Sequence, residues 1–313
     1  MQVRILGAAA GGGFPQWNCS CSNCRRLRQG VFSGRPRSQA QLALSSDGEN
    51  WTLVNASPDL RYQIESAPYL YPRPVSSRQS PIRSVILTSA EVDAALGLLL
   101  LRESQPIAVH STAAVRELLL EDNSIFGVLR RQPDQVRWHT ITLDKPFALP
   151  AGESGNSISC TAVSAGGHFP GHIPAARASQ FEVAGAVIGL FFEHGSRKVA
   201  FFAGAQSVAP AWLKRMADCD AVLFDGTFWS DDELIRIQGH GTTARQMGHL
   251  PVGDAGGTLD QFSALTKPRK IFVHINNTNP MLDEASVEYQ RVLASGWELA
   301  YDGMELSYDC SRK

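Results

Sequence analysis

The sequence predicts an α/β fold built on two stacked sheets, and three observations carry that prediction. Short apolar runs bounded by Gly, Asn, Asp and Pro recur along the chain, helical stretches fall between them, and one strand-rich half follows another without an internal repeat. With 313 residues, 43% of them hydrophobic, the chain is long enough for one large α/β domain or two small ones with a substantial core.

Taken in order, residues 3–6 read as a strand, and the Gly/Ala turn at 7–13 leads into Phe14-Pro15-Gln16-Trp17-Asn18 and a group of cysteines. Residues 41–44 and 51–55 read as strands joined by the turn Ser46-Asp47-Gly48, and Ser57-Pro58-Asp59 as a helix start for 60–65. Residues 84–87 form a buried strand, followed by a helix over 92–101. A second series gives a strand at 107–110, a helix at 113–121, and strands around 136–143 and 157–163. An apolar hairpin over 186–193 and 198–202 turns at Gly195. Residues 211–216 are helical, 221–224 and 270–273 are strands, and strands at 297–301 and 304–307 flank the turn Asp302-Gly303. The Pro/Gly-rich stretches at 68–81 and 165–174 read as loops rather than domain linkers.

The charge balance excludes some classes of partner. With 29 basic and 30 acidic residues and a net charge of -1, nothing attracts nucleic acid or an anionic membrane electrostatically. No uncharged apolar run is long enough to span a bilayer, and the chain enters a strand at once, without a charged-then-apolar signal pattern. Reduced thiols without an export signal make the cytoplasm the expected compartment.

The strongest local signal is Cys19, Cys21 and Cys24, a C-x-C-x-x-C run. A tight turn brings such thiols to a common point, and Zn²⁺ favours soft thiolates in a closed tetrahedron, so a structural zinc is expected with its fourth ligand from elsewhere. Free thiols or a redox pair are the plainer alternative; three closely spaced cysteines cannot all pair among themselves. Cys160, Cys219 and Cys310 are scattered and read as small apolar residues.

A second site is expected where polar residues follow apolar strands. Four segments have this form: Thr88-Ser89-Ala90-Glu91-Val92-Asp93, Gly166-Gly167-His168, Phe224-Asp225-Gly226-Thr227 and Val273-His274-Ile275-Asn276-Asn277. An unpartnered polar group at such a place costs about 1–3 kcal/mol. Glu91, Asp93, Asp225 and His274 are suited to a divalent iron, manganese or zinc. Three of them also have an ordinary use: Asp93 as a helix cap, Asp225 in a turn bond, His274 as a core histidine. His168 and His172 sit in a Gly/Pro loop and are either ligands or part of a substrate loop. His110, His139 and His194 lack such a context and read as structural or exposed.

These motifs, in this order, resemble the pyrroloquinoline quinone (PQQ) biosynthesis protein B family of the metallo-β-lactamase-like superfamily. The carrying strings are Leu6-Gly-Ala-Ala-Ala-Gly-Gly-Gly-Phe-Pro-Gln-Trp-Asn-Cys19, Asn55-Ala-Ser-Pro-Asp59, Phe224-Asp-Gly-Thr227, Met247-Gly-His-Leu250, His274-Ile-Asn-Asn-Thr-Asn-Pro280 and Tyr301-Asp-Gly-Met304. They run from the first strand to the last, so the resemblance covers the chain. It implies a four-layer αββα sandwich, one domain over 1–313 with an N-terminal zinc-binding cysteine segment, and a cytoplasmic role in maturing a peptide-derived redox cofactor. It further implies a non-haem iron hydroxylase that uses O₂ on the tyrosine ring of a cross-linked glutamate–tyrosine intermediate, with a small peptide-derived substrate and other cofactor-biosynthesis proteins as partners.

The superfamily's first metal motif, H-x-H-x-D-H, matches Ser89 to Ala94 here, so Asp93 is kept and Ala94 stands where the family has histidine. The active-site ion then falls to Glu91, Asp93, Asp225 and His274, with His168 or His172 as compensating or substrate-binding groups. In related phosphodiesterases a histidine three residues after the last metal histidine closes the cysteine site, so the resemblance makes the matching Asn277 the candidate fourth zinc ligand, with a water or a nearby acid as the alternatives. His249 and His240 are candidates for substrate binding or proton transfer. Two other functions remain open: a metal-dependent hydrolase, as the superfamily at large implies, and a non-catalytic carrier or accessory protein of PQQ biosynthesis or transport, for which Ala94 speaks.

Overall fold

The computed structural model describes residues 1–74, 78–103, 105–152 and 157–306; Ser307 and Cys310 lie outside them. Two seven-stranded sheets face each other. The first contains β1 (Gln2–Gly7), β2 (Gln41–Ser45), β3 (Trp51–Val54), β4 (Ile82–Ile86), β5 (Ile107–Ser111) and β6 (Val136–Thr140). The second contains β7 (Pro146–Ala148), β8 (Ser159–Gly166), β9 (Val187–His194), β10 (Arg197–Phe202), β11 (Ala221–Asp225), β12 (Arg269–Val273) and β13 (Trp297–Leu299). The short β14 (Glu305–Leu306) returns to the first sheet beside β1, so its order is β14-β1-β2-β3-β4-β5-β6, and the second runs β13-β12-β11-β10-β9-β8-β7. Pairing is antiparallel at one side of each sheet and parallel from β3 to β6 and from β10 to β13.

The layering follows from strands that are apolar on both faces. Every residue of β11 is buried: Leu223 points into the core between the sheets, whereas Val222 and Phe224 point outward into a second core. That outer core is closed by α1 (Ser22–Arg28), α6 (Pro210–Met216), α8 (Thr258–Gln261) and α9 (Val287–Ala294) through Cys24, Met216, Leu259 and Val292. On the first sheet, Ala43, Leu53, Val85 and Val109 face α2 (Leu60–Glu65), α3 (Val92–Ala95) and α4 (Ala113–Leu120). Two outer cores and one inner core make the four αββα layers expected from the family resemblance.

Several elements differ from the sequence reading, each for a local reason. The helix expected over 92–101 is α3 followed by a 3-10 turn at Leu96–Leu101. The strand expected around 136–143 stops at Thr140, where the chain leaves for the other sheet. The cysteines were expected in one tight turn, but Cys24 lies on the first turn of the Arg-rich α1, which carries no apolar stripe to announce it. The edge strand β7, α5 (Ala175–Ala178) and α7 (Glu233–Gln238) are likewise too short or too polar to read.

Packing density makes one substitution informative. A Cβ at Gly189, in β9, would lie 2.0 Å from the Phe202 ring. Gly189→Ala is therefore expected to overpack the second sheet and lower stability by about 2 kcal/mol, read as a lower urea midpoint at unchanged slope.

Candidate metal centre

Parallel strands deliver their C-terminal ends to one rim of the sandwich, and the polar residues collect there. β11 ends at Asp225, which has no exposure, and β12 hands over directly to His274. His274 has φ +55°, a left-handed conformation that costs a non-glycine residue about 1–2 kcal/mol. The strain is held by backbone bonds on both sides: Gly226 N–H donates to Val273 C=O (2.8 Å), and Ile275 N–H to Ala8 C=O (3.0 Å). His249 arrives from a third direction, after the left-handed Gly248.

The donor atoms of Asp225, His249 and His274 all lie within 4.8 Å of one another. His249 Nδ1 is 2.7 Å from Asp225 Oδ2, and His274 Nε2 is 2.9 Å from Asp93 Oδ2. Neighbouring donors on one ion stand about 3 Å apart when metal–donor bonds are about 2.1 Å long, so both spacings match an edge of a coordination shell. The two imidazoles stack at 5.4 Å. Thr227 fixes the group: its N–H and hydroxyl donate to Asp225 Oδ1 (3.0 and 2.6 Å), and the hydroxyl oxygen lies 2.8 Å from His274 Nδ1. Ala205 N–H donates to Asp225 Oδ2 at 3.1 Å.

Charge is balanced inside this cluster. Burial opposes ionisation of Asp225 and Asp93, yet the neighbouring histidines, with Thr227 at Asp225, bring both carboxyls below their ordinary range. Burial disfavours the imidazolium of His274, but Asp93, Asp225 and Glu91 outweigh it and raise its pKa. Glu91 is pushed the other way, upward, by burial and by the like charge of Asp93.

A cavity of about 570 Å³ opens over the cluster, lined among others by Glu91, Asp93, Ala94, His168, His249 and His274. Asp93 joins the trio through His274, and Glu91 stands on the cavity wall outside it. Ala94 is buried, its carbonyl accepting from Ala56 N–H at 2.7 Å. His168 lines the same cavity and is oriented by Nδ1 against Phe169 C=O at 2.9 Å. His172 is exposed and lines a neighbouring cavity of about 420 Å³ with Asp122 and Arg177. His240 is exposed beyond the end of α7 and is not among the described residues lining the main cavity. Of the sequence candidates, the fold thus gathers Asp93, Asp225, His249 and His274, and leaves His172 and His240 outside.

The cysteines form a second donor group. The sulphurs of Cys19, Cys21 and Cys24 also lie within 4.8 Å of one another, and Asn277 covers them, its amide 3.1, 3.7 and 3.3 Å from the three. The two ends of a carboxamide differ only in which atom faces the site, so Asn277 can donate to thiolates or present its oxygen as a fourth ligand. Burial disfavours the thiolate at Cys19, but bonds from Cys21, Cys24 and Asn277 bring its pKa below the ordinary value, while burial pushes Cys21 up to about 12. Arg28 donates to the carbonyls of Gln16 and Cys19, pinning the turn that carries the first thiol. Three thiolates under one amide oxygen suit zinc, and Cys19 and Asn277 also line the main cavity.

Residues supporting these groups went unread in the sequence. Thr227 was legible in principle, since a Thr two residues after an Asp commonly donates back to its carboxylate. Glu233, Asn23 and Asn279 carried no such signal. Glu233, 3% exposed, accepts from Thr278 Oγ1 (2.5 Å) and Trp229 N–H (2.6 Å). Burial raises its carboxyl from 4.5 to about 7 despite those donors. The folded state therefore holds this proton more tightly than the unfolded chain, and the group's contribution to stability falls as pH rises from the unfolded value through 7. Glu233→Gln is expected to leave stability unchanged near pH 4 and to raise it by up to about 3 kcal/mol at pH 8, measured by denaturant titration at both pH values.

Comparison with known proteins places the chain in a family. Residues 50–275 match the model of the beta-lactamase superfamily domain. Coenzyme PQQ synthesis protein B of Rhizobium meliloti (strain 1021) is 41% identical over 310 residues, covering 98% of this chain and 97% of that protein. The protein of the same name from Pseudomonas paraeruginosa (strain DSM 24068 / PA7) is 42% identical, covering 98% and 99%. The crystal structure of Zn²⁺-bound PqqB from Methylobacterium extorquens superposes with a TM-score of 0.89 at 40% identity, over 98% of this chain and 100% of that one. A diphosphatase of the PhnP family shares the fold, with a TM-score of 0.65 at 18% identity over 98% of each chain. The chain belongs to the coenzyme PQQ synthesis protein B family and carries the beta-lactamase superfamily domain.

Proposed function

We propose that this protein acts in PQQ biosynthesis as an iron-dependent hydroxylase of the tyrosine-derived ring in a cross-linked Glu-Tyr intermediate. The observation that carries the reading is the donor set at the base of the cavity: two imidazoles on its wall (His249 and His274) and, within 4.8 Å of them, the buried carboxylate of Asp225. Two histidines and one carboxylate with open positions are the ligand set of non-haem iron(II) oxygenases. The cysteine tripod under Asn277 is read as a structural zinc site, in line with the zinc-bound Methylobacterium extorquens relative.

When bound, iron(II) supplies the activation of molecular oxygen. The chain's own residues do the rest. Thr227 holds Asp225 and His274 in register through its contact with His274 Nδ1, so that Nε2, beside Asp93 Oδ2, is the nitrogen that would meet the ion. Glu91, with its raised pKa, is suited to hold a proton at its carboxyl beside the substrate. The small side chain of Ala94 leaves room at the wall where the superfamily motif places an imidazole. The cavity of about 570 Å³ is of a size to enclose an aromatic ring and part of the attached chain.

Metal analysis of protein purified without chelator, combined with O₂ uptake on the peptide-derived substrate, tests the reading. One zinc and one iron per chain with O₂-dependent turnover is the expected result. One zinc with no second metal favours the carrier, and phosphodiester turnover without O₂ favours a hydrolase. His274→Ala is expected to lose the second metal and at least about 100-fold in turnover while zinc stays bound. Thr227→Val, which removes the hydroxyl beneath both ligands, should weaken second-metal affinity by about 10–100-fold at unchanged zinc content. Cys24→Ala should release the zinc and lower the melting temperature.

A further inference from the structure

The two donor groups are parts of one hydrogen-bonded structure. His274 and Asn277 sit three residues apart on the loop after β12, the first in the trio and the second over the tripod. Asn23, 8% exposed on α1 beside Cys24, donates from its amide to the carbonyls of Asn277 (3.2 Å) and Asn279 (3.0 Å). Asn279 has no exposure, and its own amide donates to the carbonyls of Gly226 (3.0 Å) and Thr227 (3.3 Å). Asn276 N–H also donates to Thr227 C=O, at 3.1 Å. Thr227 then carries Asp225 and His274. An unbroken path thus runs from the cysteine helix to two of the three active-site donors, through buried amides that would be left unsatisfied if the helix moved away.

We propose that Asn23 is a positioning residue that makes the geometry of the Asp225–His249–His274 trio depend on closure of the cysteine tripod. It touches neither substrate nor the trio; it acts by holding the loop 274–279 between α1 and the end of β11. His274 is the sensitive point, because its left-handed backbone is kept only while the surrounding bonds hold it. Opening the tripod by loss of its metal, or cutting the Asn23 bonds that link it to the loop, frees the loop and lets His274 relax out of register. This inference rests on reading the trio as a metal site, and its test separates the two.

The experiment uses full-length protein with zinc loaded, titrated with Mn²⁺ and followed by electron paramagnetic resonance, since Mn²⁺ selects carboxylate and imidazole over thiolate. Asn23→Ala and the isosteric Asn23→Asp are expected to bind Mn²⁺ at least about tenfold more weakly than wild type while zinc content stays at one. Unchanged Mn²⁺ affinity in both variants overturns the proposal. Hydrogen exchange on wild type supplies a readout that needs neither variant nor second metal: amides of 274–279 should exchange faster after zinc removal, relative to those of β2 and β3. Equal protection with and without zinc also overturns it. Absence of Mn²⁺ binding by wild type removes the metal reading of the trio, and the exchange comparison then decides whether the mechanical link exists.

Discussion

A carboxylate sealed from water at the end of β11 governs this structure. Asp225 is fully buried, and a buried charge persists only where donors and opposite charges surround it. Thr227, Ala205 and His249 meet that requirement directly, and each comes from a different part of the chain. Satisfying one carboxylate therefore brings three segments to a common rim. The stacked rings of His249 and His274 follow from the same demand.

The cysteine segment extends this logic to the N-terminal part of the chain. It has few apolar side chains to anchor it: on α1, only Asn23 and Cys24 are buried. Leu27 and Phe32 pack against the outer core, and the rest of its hold on the sandwich is polar and thiol-based, through Asn23, Asn277 and the three sulphurs. Because Cys19 and Asn277 line the same cavity as the trio, the segment also forms part of the wall that a ligand would meet. An anchoring element and a cavity wall are here the same residues.

The legible part of the site is the part with short-range signals. The C-x-C-x-x-C spacing marks the tripod, and Asp225 and His274 stand at the ends of apolar strands, so both could be singled out before any coordinates. Asn277 and Ala94 became meaningful only by resemblance to relatives. The place of His249 beside Asp225 was not readable, because the two are 24 residues apart and the approach depends on the left-handed turn at Gly248. Asn23 and Asn279 were invisible for the same reason at larger scale: their partners lie across the chain, and an isolated Asn in a polar stretch has no pattern. The strand framework was legible through its apolar runs, whereas α1, α7 and β7 were not, being polar or only a few residues long.

The distance along the chain between Cys19 and Asn277, 258 residues, has a consequence for biosynthesis on the ribosome. The three thiols are made 253 to 258 residues before the amide that covers them. The partner of β1 is later still, since β14 contributes Leu306 opposite Val3. Contacts of such long range are slow to form and impose a large loop-closure cost before they contribute anything. The nascent chain therefore carries an open thiol cluster until the segment after β12 has been made, and its closure waits on assembly of the second sheet.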